Sequence, residues 1–175
     1  LWYQDDQLHE TGVRSLQKVI DNIPSPYLGG YLDEFLAVGM VPMFETNRGC
    51  PFACKFCIEG EDYYNKISKS SIERKKAELE YIAERSIHAR TLLITDSNFG
   101  MFNDDITYCE AINQVRKTTG FPEYIHCTTG KNKKENVLKC NELVGGILRL
   151  TASVQSLDEQ VLENVARTNI SLESI

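Results

Sequence analysis

The sequence predicts an α/β protein with a parallel sheet, in which about four strand–helix units form an open, partial (β/α) barrel. Two observations carry this expectation. Short apolar runs alternate with segments of helical periodicity, and Gly, Pro, Ser or Asp residues punctuate nearly every junction. Alternation of this kind builds parallel sheets with helical crossovers.

Residues 1–37 read as a linker or the end of an upstream region, because "DNIPSPYLGGYLDEFL" sets two prolines and a Gly-Gly between charged stretches. The domain proper is placed at 38–175. "VPMFET" is a candidate first strand and runs straight into a cysteine-rich loop. Ile72, Leu79, Ile82 and Ala83 mark one face of a helix over about 70–86, with Ser70 or Ser71 as N-cap. "TLLIT" (91–95) is a continuous apolar run, as expected for a strand covered on both faces. Asp104 or Asp105 opens the next helix, where Ile106, Cys109, Ile112 and Val115 repeat at three-residue spacing until Gly120 and Pro122.

"EYIHCT" (123–128) is the third strand, followed by a helix carrying Val137, Cys140 and Val144 that ends at Gly145-Gly146. "ILRLTASV" (147–154) is the fourth. Strand parity puts Arg149, Thr151, Ser153 and Gln155 on a polar face, with Leu148, Leu150, Ala152 and Val154 opposite and suited to packing on helices. Asp158 caps a last helix with Val161, Leu162 and Val165. Four strands leave both sheet edges unpaired, so the domain is expected to continue beyond Ile175.

Composition narrows the function classes. The net charge of −6 disfavours a nucleic-acid surface, and the basic runs Arg74-Lys75-Lys76 and 131–134 read as solvated helix faces. No apolar run approaches the roughly 20 residues a membrane helix needs. The opening residues lack the basic start and apolar core of a signal peptide. Six cysteines in a chain with a core of ordinary size suggest a reduced, cytoplasmic protein rather than a disulfide scaffold.

Three of those cysteines are clustered in "NRGCPFACKFC", with the spacing C-x3-C-x2-C at Cys50, Cys54 and Cys57. Such a loop can bring three thiolates to one centre, and thiolates suit zinc or iron–sulfur clusters. Ordinary clusters and many structural zinc sites take four protein ligands, so three leave an open coordination position. Gly49 permits the tight turn into the loop, and Phe52 and Phe56 are placed to wall the centre from water. A zinc site with a distant fourth ligand such as His126, or three buried apolar cysteines, are the competing readings. Cys109 and Cys140 lie on apolar helix faces and read as core, and one of His126 and Cys127 should face the interior. No Ser-His-Asp order, phosphate-binding Gly-rich loop or carboxylate pair competes.

"ETNRGCPFACKFC" resembles the signature of radical S-adenosylmethionine (radical SAM) enzymes, with Phe56 as the aromatic before the last cysteine. The resemblance covers roughly residues 38–175 and implies that the chain holds about four of an expected six βα units. It implies a [4Fe–4S] cluster on Cys50, Cys54 and Cys57, with S-adenosylmethionine on the fourth iron. Reductive cleavage of that cofactor would give a 5′-deoxyadenosyl radical that takes hydrogen from a substrate.

By position in the family pattern, Asp96 and Asn98 in "TDSNFG" are candidates for holding the methionyl amino group, although the usual Gly-Gly-Glu is absent. Ser153 and Gln155 in "TASVQS" are candidates for the ribose. Thr128, Lys131 and Asn132, after the third strand, are further residues that could reach the site.

The lead-in before the cysteine loop looks like the linker of cobalamin-binding radical SAM enzymes, which makes cobalamin an expected cofactor of the parent protein. "LHETG" (8–12) is not the usual cobalamin histidine motif, however. The ending "SVQSLDEQVLENVARTNIS" also looks like a stretch of methylthiotransferases. The family implies a small-molecule or macromolecular substrate and an electron donor such as flavodoxin or ferredoxin. A non-catalytic zinc-binding or electron-transfer module is the alternative.

Overall fold

In the computed structural model, residues 1–130, 132–151 and 153–169 are described. The chain starts with an antiparallel hairpin of β1 (Trp2–Gln4) and β2 (Gln7–His9), whose turn residues Asp5 and Asp6 both take positive φ. A single 3-10 turn (Ile20–Asn22) and α1 (Asp33–Ala37) follow. Ile20, Tyr27 and Leu36 are buried, so this lead-in packs onto the domain. The Tyr27 hydroxyl donates to the Met43 carbonyl (2.6 Å) and accepts from the Met43 amide (3.0 Å). One phenol thus satisfies both backbone groups of Met43, at the outer edge of the sheet.

β3 (Met43–Phe44) leads to β4 (Asn47–Arg48), which pairs antiparallel with β5 (Ser68–Lys69). That pairing clamps the two ends of the cysteine loop together. Then come α2 (Ile72–Arg85), β6 (Thr91–Ile94), α3 (Asn103–Thr119), β7 (Tyr124–His126), α4 (Lys134–Leu143) and the short α5 (Glu159–Asn164). The main sheet is parallel, in the order β3-β6-β7, with Phe44 opposite Ile94 and Leu92 opposite Ile125.

One core joins the sheet to α2, α3 and α4. Phe44, Leu92, Ile94 and Ile125 meet Leu79 and Ile82 from α2, Tyr108, Cys109 and Ile112 from α3, and Cys140 from α4. Phe44 stacks on Tyr108 with ring centroids 5.2 Å apart. Leu79, Ile82, Cys109, Ile112 and Val115 are buried as their periodicity predicts, and Ser71 caps α2 by accepting from the Arg74 amide at 3.2 Å.

Four expectations need correction. β6 alternates rather than being covered on both faces: Leu92 and Ile94 are buried while Thr91 and Leu93 are half-buried, so its second face is only partly covered. α3 begins at Asn103, one residue after Phe102, because the Asp105 carboxylate accepts the Phe102 amide (3.0 Å) from inside the first turn.

The fourth strand is reduced to one bridge, in which Leu148 lies beside Ile125 with backbone bonds of 3.0 Å on either side. Beyond it the Thr129 and Thr151 hydroxyls exchange bonds with backbone and displace a regular ladder, leaving Leu150 and Val154 exposed. Ala152 lies outside the described residues. Among the described residues, the main sheet is therefore three parallel strands, with the Leu148 bridge beside β7.

The run at 74–76 is not a solvated face. Lys75 is 1 % exposed, and Arg74 bonds Glu78 (2.8 Å) and the carbonyl oxygens of Asp21 and Ile23. Burial pushes the Lys75 ammonium pKa down, against the pull of Asp105, Asp104 and Asp96.

Candidate active site

A cavity of about 220 Å³ opens at the C-terminal ends of the parallel strands, where α/β sheets commonly bind ligands. Cys50, Cys54 and Cys57 enter it from the loop after β4, and Ser97 and Asn98 from the turn after β6. Thr128 and Thr129 follow β7, while Ser153, Gln155 and Arg167 come from the last described stretch.

The cysteine loop is shaped by its backbone. Gly49 has φ +96°, and a Cβ there would overlap the Lys66 carbonyl oxygen and stand 2.9 Å from that of Tyr64. Only glycine fits this turn without displacing backbone. The Cys57 amide donates to the Cys54 carbonyl (3.1 Å), and the Lys55 amide donates to the Val165 carbonyl (3.0 Å). The second bond ties the loop to the end of α5 and brings Arg167 over the Phe56 ring, 5.6 Å from its centroid.

Cys54 is buried, and Cys50 and Cys57 are half-buried. Among the described residues, no three His, Cys, Asp or Glu side chains are grouped tightly enough to hold a single metal ion. Ligands that each bind a different iron of a cluster need not converge on one point as ligands of a lone zinc must. His126 is exposed on β7 and is not among the residues lining the cavity, whereas Cys127 turns into the core. Three thiols around one cavity fit a three-cysteine cluster better than a mononuclear site with His126.

The remaining sequence candidates divide. Phe56, Asn98, Ser153 and Gln155 line the cavity, as does Thr128. Asn132 does not, and Lys131 lies outside the described residues. Asp96 is not among the lining residues, because its carboxylate is committed beneath the site. It accepts from the Thr46 amide (2.7 Å), the Thr46 hydroxyl, the Asn47 amide (3.0 Å) and the Asn47 side chain (3.2 Å). Asp105 continues this buried network, accepting from Asn47 Nδ2, the Gly100 amide and the Phe102 amide, each at 3.0 Å. Burial raises both carboxyl pKa values, that of Asp96 to about 6.

Two lining residues have roles that the sequence reading did not assign. Among the described residues, Arg167 supplies the only cation lining the cavity; its Nη2 donates to the Ser153 carbonyl (2.8 Å) and its Nε is buried without a hydrogen-bond partner. An orphaned guanidinium donor beside a cavity suits an anionic group of a ligand, such as a carboxylate. Glu59 accepts from the Ser97 hydroxyl (2.6 Å) at the same wall. The signal for Arg167 lies in the stretch "SVQSLDEQVLENVARTNIS", but its distance in sequence from the cysteines hides the contact.

No family model matches the chain. Among curated proteins, it is 33 % identical over 160 residues to a 2-(S-pantetheinyl)-carbapenam-3-carboxylate methyltransferase of Streptantibioticus cattleyicolor, covering 86 % of this chain and 23 % of that protein. It is 32 % identical over 170 residues to the cobalamin-dependent radical SAM methyltransferase TokK of Streptomyces tokunonensis, covering 92 % and 24 %.

Two solved structures share the fold. The radical S-adenosylmethionine methyltransferase TsrM of Kitasatospora setae, with cobalamin and a [4Fe–4S] cluster bound, superposes with a TM-score of 0.60 at 15 % identity, covering 81 % of this chain and 27 % of that one. The cobalamin-dependent radical enzyme OxsB, with aqua-cobalamin and S-adenosylmethionine bound, gives 0.57 at 17 % identity, covering 79 % and 22 %. The chain thus spans about a quarter of the length of the relatives it matches. In sequence the chain is similar to radical SAM methyltransferases of the cobalamin-dependent branch, and it shares its fold with TsrM and OxsB.

Proposed function

We propose that this chain is the cluster-binding part of a cobalamin-dependent radical SAM methyltransferase, and that its sheet is the first portion of a (β/α) barrel. One observation carries the reading: the three thiols of the C-x3-C-x2-C loop share a cavity with a polar rim and the Arg167 guanidinium. A [4Fe–4S] cluster held there would supply the electron for reductive cleavage of S-adenosylmethionine, the source of the radical that abstracts hydrogen from substrate.

The protein's own contribution is to hold and orient. Cys50, Cys54 and Cys57 would hold the cluster through their three thiolates. Arg167 would offer its unpaired Nε–H to the carboxylate of the methionyl group, and its stacking on Phe56 limits how far it can swing. Asn98, Ser153 and Gln155 supply hydrogen bonds around the rim. Phe52 and Phe56 line the thiols with apolar surface and reduce the access of water.

Methyl transfer through cobalamin belongs to the whole protein, and relatives named as methyltransferases support it; a substrate and an electron donor such as flavodoxin or ferredoxin complete the proposal. Among the described residues no helix is long and apolar enough to cross a membrane.

Iron and acid-labile sulfide, measured after anaerobic reconstitution, test the metal assignment. The expected result is a brown, oxygen-sensitive protein with about four irons and four sulfides per chain. A colourless, air-stable protein that holds zinc contradicts it.

A further inference from the structure

We infer that Asn98 sets the reduction potential of the cluster by donating a hydrogen bond to the Cys50 thiolate, a role that rests on the function proposed above. Asn98 Nδ2 stands 3.2 Å from Cys50 Sγ, within hydrogen-bonding reach of a sulfur acceptor. A donor aimed at a ligating thiolate withdraws negative charge from it. That stabilises the reduced cluster, which carries the extra electron, and makes the potential less negative.

The position of Asn98 is fixed from both sides. Two residues earlier, the buried Asp96 carboxylate grips Thr46 and Asn47 at the entrance of the cysteine loop. One residue later, Phe99 is 0 % exposed, its amide donates to the Thr128 carbonyl (2.9 Å), and its carbonyl accepts from the Gly130 amide (2.9 Å). The turn carrying the donor and the loop carrying the acceptor are therefore locked to each other through Asp96, which holds the N–H···S contact in place. A side chain serving only S-adenosylmethionine has no need of a contact with the thiol.

The test is a redox titration of the reconstituted protein without S-adenosylmethionine, followed by electron paramagnetic resonance. Asn98→Leu keeps the branched shape and removes the donor, and Asn98→Asp sets a carboxylate beside the thiolate. The expected order of midpoint potential runs from wild type through Asn98→Leu to Asn98→Asp as the most negative, with iron content equal in all three. Should the leucine variant take up no cluster, Asn98→Ser, too short to reach Sγ, carries the same comparison. An unmoved potential together with weakened S-adenosylmethionine binding makes Asn98 a cofactor contact and overturns the assignment. A wild-type chain that takes up no cluster removes the proposed function and this role with it.

Discussion

Cys57→Ala is expected to leave the chain folded and to abolish cluster uptake and all cleavage of S-adenosylmethionine. Cys57 sits half-buried on the loop, and its structural contact is a backbone bond from its amide to Cys54, which alanine keeps. The core of β3, β6, β7, α2, α3 and α4 does not include it. Two remaining thiols cannot replace a three-cysteine set, so iron per chain falls to background while the melting temperature moves by only a few degrees. Cys109→Ala is the matched control. That thiol is 0 % exposed in the core, so its loss lowers stability and leaves iron binding in place. A Cys57→Ala protein that keeps its cluster and its cleavage activity sinks the reading.

The second large effect lies beneath the site. Asp96→Ala removes a buried acceptor and leaves the Thr46 and Asn47 donors without a partner, away from water. Unsatisfied buried groups cost about 1–3 kcal/mol each, and partial relaxation makes a total of about 3 kcal/mol reasonable. For a chain of this size that is a fall of roughly 6–12 °C in melting temperature. Calorimetry or thermal circular dichroism reads it, and a loss below about 1 kcal/mol contradicts the clamp.

The same carboxyl makes stability depend on pH. Folded Asp96 takes up its proton near pH 6, against an ordinary value of 3.8, so between those values the folded chain binds more protons than the unfolded one. Its contribution is then fully present below about pH 4 and is lost as the pH rises through 6. Asp105 is shifted in the same direction. Asp96→Asn should flatten urea-unfolding free energies across that window.

The cysteine loop was legible because its information is local: three thiols, a turn glycine and two aromatics within a dozen residues. The helices were legible for the same reason, since Leu79, Ile82, Cys109 and Ile112 repeat with the helical period and are buried as that period requires. The rest depended on contacts distant in sequence. Nothing near Tyr27 announces that its hydroxyl caps Met43, sixteen residues on.

Lys75 looked solvated because charge usually is, yet Asp96 and Asp105 lie close enough to offset part of the cost of burying it. The direction of the Asp96 side chain is set by Thr46 and Asn47, which arrive from about fifty residues away and leave no local mark. The fourth strand failed as a pattern because Thr129 and Thr151 bond through side chains where a ladder was expected.

The most direct test of the central claim is low-temperature electron paramagnetic resonance on the anaerobically reconstituted, dithionite-reduced chain, with and without S-adenosylmethionine. The account predicts a [4Fe–4S]⁺ signal that changes when the cofactor is added, because three cysteines leave one iron open to it. A cluster signal indifferent to the cofactor, or zinc in place of iron, contradicts it.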